Sequence, residues 1–197
     1  MQRRARLFSC AFPLGAGLMM VAVFLSGAGV ADALMYHRPS VLGGEWWRLL
    51  TGHWVHRSGY HLALNLAGLV LVWHLFGEFL QGRHWLVLTF LVALGQSVSL
   101  MFVYSDILWF EGLSGLLHGL LAAGAVIAFS RAPVVSGLVL AVLAFKLAAE
   151  AWFGGSAQME ALLGQPVLAE SHWCGAIAGL LGGCILAIWS RGVQPTD

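Results

Sequence analysis

In the stretch Glu111-Gly-Leu-Ser-Gly-Leu-Leu-His-Gly119 a serine stands between glycines where a long apolar run begins, and a histidine follows one helical turn later. A serine hydroxyl is a poor nucleophile until a positioned base takes its proton, and histidine is the usual base near neutral pH. Ser114 and the distant His172 therefore form a candidate nucleophile–base pair for acyl transfer. A serine at a helix N-terminus also has unpaired backbone N–H groups that favour an oxyanion. His61 and Asn65, at i and i+4 on one helical face, are the natural side-chain donors beside it. No carboxylate has a compelling position behind His172, because nothing fixes the distance of Glu111 or Glu170 in the adjacent loops. The expectation is a two-residue dyad rather than a triad, with His118 buttressing His172 by stacking or a hydrogen bond.

Each of these residues has a plainer reading when taken alone. Ser114 could pack helices or cap one. His172 and His118 could be hydrogen-bonded structural histidines, and His61 with Asn65 could merely tie two helices together. What favours chemistry is their placement in the elements that carry them.

Those elements are membrane helices. Apolar residues make up 59% of the 197 and charged residues only 10%, against roughly a quarter charged in soluble domains. The chain reads as an all-α integral membrane protein, a single domain over 1–197 with the lipid bilayer as its first partner. The net charge of +1 and the lack of any charge run give no sign of a nucleic-acid partner. Cys10, Cys174 and Cys184 all lie in apolar segments and read as packing residues. Nothing calls for a cofactor or a metal.

Six apolar runs approach the roughly 20 residues that cross a bilayer, near 11–31, 61–80, 85–104, 114–130, 134–152 and 172–190. With the N-terminus inside, Arg3, Arg4, Arg6, Arg83, Arg131 and Arg191 are cytoplasmic, whereas Arg38, Arg48 and Arg57 lie outside. The excess favours an N-in, C-in arrangement. The first run also resembles a signal peptide, with Ala31-Asp-Ala33 as a cleavage site, but it is longer than a usual h-region and is read as a retained span. Spans two, four and six then run in the same direction, and each opens with polar residues: His61 and Asn65, Ser114 and His118, and His172. Polar groups inside a bilayer are costly, so five at one depth near the outer face argue for a site.

Small residues supply the close approach such a site needs. Gly115 and Gly119 follow the serine, and Gly175, Gly179 and Gly183 follow His172 at four-residue spacing. Gly175 and Gly179 lie within about 60° of His172 around a helix.

Together these motifs resemble the rhomboid intramembrane serine proteases. The motif H-x4-H-x3-N runs through His56, His61 and Asn65, "GLSG" places Gly112 and Gly115 around Ser114, "SHWCGAIAG" contains His172, and "EWWR" stands in the first loop. The resemblance spans nearly the whole chain and implies a six-transmembrane-helix rhomboid-like bundle. It implies Ser114 as nucleophile and His172 as base, with His61, Asn65 and the Ser114 N–H as the oxyanion hole. It gives His56 a supporting role near the site, and Trp47 and Arg48 a role in shaping the first-loop lobe. It further implies residence in a bacterial inner membrane, with the site opening to the periplasm. Where many bacterial members have tyrosine this chain has His118, and "GLSGLLHG" is most similar to the rhombosortase subfamily. That subfamily's expected substrates are secreted proteins with a C-terminal GlyGly-CTERM tail, made of a glycine-rich motif, a single membrane span and a basic end. A general rhomboid protease with other single-span substrates is the alternative. A proteolytically dead relative would be expected to lack the serine or the histidine.

Lys146 and Glu150, at i and i+4 near the outer end of span five, read as a mutually neutralising pair or as the edge of a substrate entrance. A haem-carrying electron-transfer protein is a further class, since His118 and His172 could be axial ligands. The glycine-packed interface leaves little room for a porphyrin. There is no HExxH for a zinc protease and no GxSxG elbow.

Overall fold

The computed structural model describes residues 2–80 and 82–192, with side chains over 11–80 and 82–189. The side chains of Arg3, Arg4, Arg6, Cys10 and Arg191 lie outside the described ones. In chain order the elements are α1 (Gln2–Leu25), α2 (Ala28–Leu34), β1 (Tyr36–His37), α3 (Arg38–Leu42), α4 (Arg48–Thr51) and a 3-10 turn (Gly52–Trp54). They continue with α5 (Gly59–Phe76), α6 (Gly82–Phe102), β2 (Trp109–Phe110), α7 (Ser114–Ala128), α8 (Pro133–Phe153), α9 (Ala157–Leu163) and α10 (Ala169–Gly192). The chain is an all-α, multi-pass membrane protein.

Among the described residues four helices are long and apolar enough to cross a membrane: α5, α6, α8 and α10. The other two expected spans are shorter apolar helices, Ala11–Leu25 within α1 and Ser114–Ala128. The first run breaks at Gly27, whose φ of 83° an L side chain rarely adopts, so its last residues form the separate α2. Met20 of α1 is fully buried and Phe12 stacks on Trp85 of α6 at 5.3 Å, so this helix belongs to the packed core.

The shortness of α7 follows from where it sits. Its 15 residues rise about 22 Å, less than the roughly 30 Å of a hydrocarbon layer. It packs against α5, α6, α8 and α10, with Leu116, Leu120, Ala122, Ala123, Ala125 and Ala128 all buried. A helix sheathed by other helices need not match lipid thickness.

Helices α7 and α10 meet backbone to backbone. A Cβ added to Gly119 would lie 2.5 Å from the Gly175 carbonyl oxygen, and one on Gly183 would lie 2.8 Å from Ala123 Cα. Added Cβ atoms on Gly175 and Gly179 would collide with the backbone of Gly115 and Gly119. Lipid tails are as apolar as leucine, so such close packing replaces a hydrophobic drive for helix association.

The first loop is more folded than its polar-aromatic composition suggests. Buried Arg48 gathers it by donating from Nη1 to the carbonyls of Asp32 (2.7 Å) and Met35 (2.8 Å) and from Nε to Glu45 Oε2 (2.5 Å). Trp47 donates Nε1–H to the Ala33 carbonyl at 3.3 Å while its ring stays exposed. Strand β1 pairs antiparallel with β2, setting Tyr36 opposite Phe110 and His37 opposite Trp109, which ties this lobe to the segment leading into Ser114.

Candidate active site

Ser114 is the first residue of α7, and its Oγ lies 2.9 Å from His172 Nε2 in the first turn of α10. The other imidazole nitrogen, Nδ1, lies 2.9 Å from Glu150 Oε2, near the end of α8, and Glu150 Oε1 accepts from Lys146 Nζ at 2.6 Å. The sequence left His172 without a carboxylate. The structure corrects this, because α8 packs beside α7 and α10 at a height that brings Glu150 to the imidazole. The signal was present as an ionisable pair inside an apolar span, where polar groups are costly. Its two members proved to be paired, yet the acid has a second partner.

His118 stacks on His172 with ring centroids 4.3 Å apart and planes 16° from parallel. Its Nδ1 lies 2.6 Å from the Ser114 carbonyl oxygen, which can only accept, so the proton sits on Nδ1. The ring thus stacks on His172 and is anchored to the helix that carries Ser114.

His61 and Asn65 line the same cavity as Ser114 and His172. The Asn65 amide donates to its own helix at the His61 carbonyl (3.0 Å), and Gln165 Nε2 lies 3.5 Å from His61 Nδ1. Gln165 stands in the segment after α9 and was not singled out by its sequence context. The His61 ring lies over Gly112: a Cβ there would come within 2.6 Å of His61 Nε2, and the φ of 103° independently favours glycine.

The turn before Ser114 is held from the first loop. His56 Nδ1–H donates to the Trp54 carbonyl at 3.2 Å, leaving Nε2 to accept from the Leu113 N–H at 3.4 Å. Glu111 accepts from the Arg57 N–H at 3.1 Å and Arg57 Nε at 2.9 Å, and the same guanidinium pairs with Asp32. Burial raises the Glu111 carboxyl above its ordinary value against the opposing pull of Arg57.

Burial also lowers His56 to about 3 and His53 to about 4. His53 donates toward the Ala93 carbonyl and Ser97 Oγ, both at 3.1 Å, and so joins the first loop to α6. Both histidines are neutral in the folded chain, whereas an unfolded chain takes up their protons below pH 6.5. Their contribution to stability is complete above that pH and is lost as pH falls toward about 4 and then about 3. The melting temperature in detergent is expected to drop steadily over this window, and a flat profile would contradict the neutral assignment.

The cavity at Ser114 has a volume of about 780 Å³ and runs from α5 across α7 to α8 and α10, roofed by the segment after α9. Its polar residues come from the starts of α5, α7 and α10 and the end of α8, while Leu71, Val72, Leu121 and Val142 form an apolar flank. One nitrogen or oxygen each from His118, Glu150 and His172 lies within 4.8 Å of the others, a ligand set a divalent metal could use. Their present partners oppose that: Lys146 already neutralises Glu150, and parallel stacked rings do not converge on one ion. The same stacking leaves no space for a porphyrin between His118 and His172.

The apolar helices thus bring a serine, three histidines and a carboxylate to one cavity, groups suited to hydrolysis within a membrane. The Rhomboid domain family model matches residues 43–189, and the chain belongs to the rhomboid family of intramembrane serine proteases. No curated protein matches the chain.

Proposed function

We propose that the protein is a serine endopeptidase that cleaves single-span membrane proteins at the outer boundary of a bacterial inner membrane. Ser114 Oγ attacks the scissile carbonyl carbon while His172 Nε2 takes its proton and later passes it to the leaving amine. The observation that carries this reading is the 2.9 Å contact between Ser114 Oγ and His172 Nε2 on the wall of a cavity of about 780 Å³. The Ser114 N–H has no earlier turn to bond within α7, and with His61 and Asn65 it forms the oxyanion hole.

The proposed arrangement is one domain over 1–197 with six membrane-crossing helices, both termini cytoplasmic and the cavity opening to the periplasm. The packing of α1 into the core supports a retained first helix. Within the rhomboid family the motif GLSGLLHG supports the rhombosortase reading, whose substrates carry glycine-rich GlyGly-CTERM tails. The test is co-expression with a reporter bearing such a tail. Cleavage that survives exchange of the glycine motif for an unrelated span would favour a general rhomboid protease instead.

Loss of one oxyanion donor, in His61→Ala or Asn65→Ala, is expected to lower kcat by roughly 10²–10³ with a smaller effect on KM. Full turnover by both variants would remove these residues from the hole.

A further inference from the structure

We propose that Glu150, braced by Lys146, is the positioning residue that sets the tautomer and the flip state of the His172 ring, so that the reactive unit is a Ser114–His172–Glu150 chain. This rests on the serine-peptidase reading above. An ionised carboxylate can only accept, so its 2.9 Å contact with Nδ1 requires the imidazole proton to sit there. Nε2, 2.9 Å from Ser114 Oγ, is then the nitrogen with the lone pair. The opposite tautomer would point an N–H at the serine and could not accept its proton.

Stacking alone cannot make that choice. The His118 ring lies 4.3 Å away with its plane 16° from parallel, and such a contact fixes the ring plane but neither the tautomer nor a 180° flip about Cβ–Cγ. A hydrogen bond in the ring plane settles both, and Glu150 supplies it. Lys146 holds Oε1 at 2.6 Å, so the second oxygen faces the imidazole. The two side chains of the acid–base contact are well shielded, at 9% exposed for His172 and 16% for Glu150, which strengthens a charge-assisted bond.

During attack, the Ser114 Oγ–H bond breaks as Oγ bonds to the carbonyl carbon, and the proton moves to His172 Nε2. The resulting imidazolium keeps its Nδ1–H directed at Glu150, which remains ionised. The Nε2 proton then passes to the amine nitrogen as the scissile C–N bond breaks. Water, deprotonated by Nε2, hydrolyses the resulting Ser114 ester and restores the hydroxyl, and the carboxylate never carries a proton.

The test uses the full chain in proteoliposomes with a single-span fluorogenic substrate. Glu150→Gln presents an amide that can donate to Nδ1 and so favour the wrong tautomer. It is expected to lower kcat by roughly 10²–10⁴, as removal of an orienting carboxylate does in soluble serine hydrolases, with KM and melting temperature little changed. Glu150→Asp should recover at least about tenfold of that loss, and Lys146→Met should lose about tenfold. A downfield imidazole proton resonance, present in the native protein, should vanish in both His172→Ala and Glu150→Gln. If Glu150→Gln fails to fold, the Asp and Met variants and the native resonance decide. Near-native kcat in the Glu150 variants beside an inactive Ser114→Ala would overturn this inference alone. Continued cleavage by Ser114→Ala would overturn the serine-peptidase reading beneath it.

Discussion

Ser114→Ala is expected to abolish both substrate cleavage and labelling by a fluorophosphonate probe, while the protein still inserts and melts as the native chain does. The hydroxyl is the only part of the side chain that differs, and among the described residues its hydrogen-bond partner is His172 Nε2 at 2.9 Å. Removing it deletes the bond-forming atom and leaves the histidine, its stack and its carboxylate in place. In soluble serine hydrolases loss of the nucleophile costs on the order of 10⁶ in kcat, leaving a residue of catalysis from the oxyanion hole and binding. A comparable collapse is expected here. Cleavage that persists near native rates, or a probe that still labels the Ala variant, would take the nucleophile away from this position.

The second large effect is expected at a residue that does no chemistry. Gly179→Ala adds one methyl group where α10 touches the backbone of Gly119, and Gly175→Ala adds one against the Gly115 carbonyl. Neither neighbour is the flexible end of a side chain, so the helices must separate. Overpacking a close contact typically costs about 1–3 kcal/mol, more than any gain from alanine's higher helix propensity of about 1 kcal/mol. The separation also acts on the site, because Gly175 lies one turn from His172 and Gly115 directly follows Ser114. Activity should therefore fall further than stability does. Gly137→Ala on α8 is the matched control: its Cβ would meet nothing within 4 Å, so the same substitution should be neutral or slightly stabilising. Equal behaviour of the three variants in melting and cleavage assays would mean that the α7–α10 contact is looser than described.

The two effects differ in kind. Ser114→Ala leaves every helix where it was, whereas Gly175→Ala and Gly179→Ala leave every reacting atom present and move them apart. Together they separate the chemistry of the site from the packing that assembles it.

What could be read from the residues alone was set by two kinds of local information. Apolar runs and turn residues marked α5, α6, α7, α8 and α10 to within about four positions, though not the start of α1 or its break at Gly27. They could do so because leaving lipid-facing backbone unpaired is prohibitive and only helices of a certain length solve that. Polar residues at the outer ends of three runs, with glycines at four-residue spacing behind two of them, marked which helices must touch and on which faces. The tertiary structure alone decided how the helices are shifted along their axes. Periodicity reports a face and a direction, but one turn of slip moves a side chain by about 5.4 Å, beyond the reach of a hydrogen bond. That shift places Glu150 at 2.9 Å from His172 although 22 residues of chain separate them. The resemblance pointed to Arg48 and His56, but their partners were hidden for the same reason: Arg48 gathers the Asp32 and Met35 carbonyls, and His56 accepts from the Leu113 N–H, contacts between segments far apart in the chain.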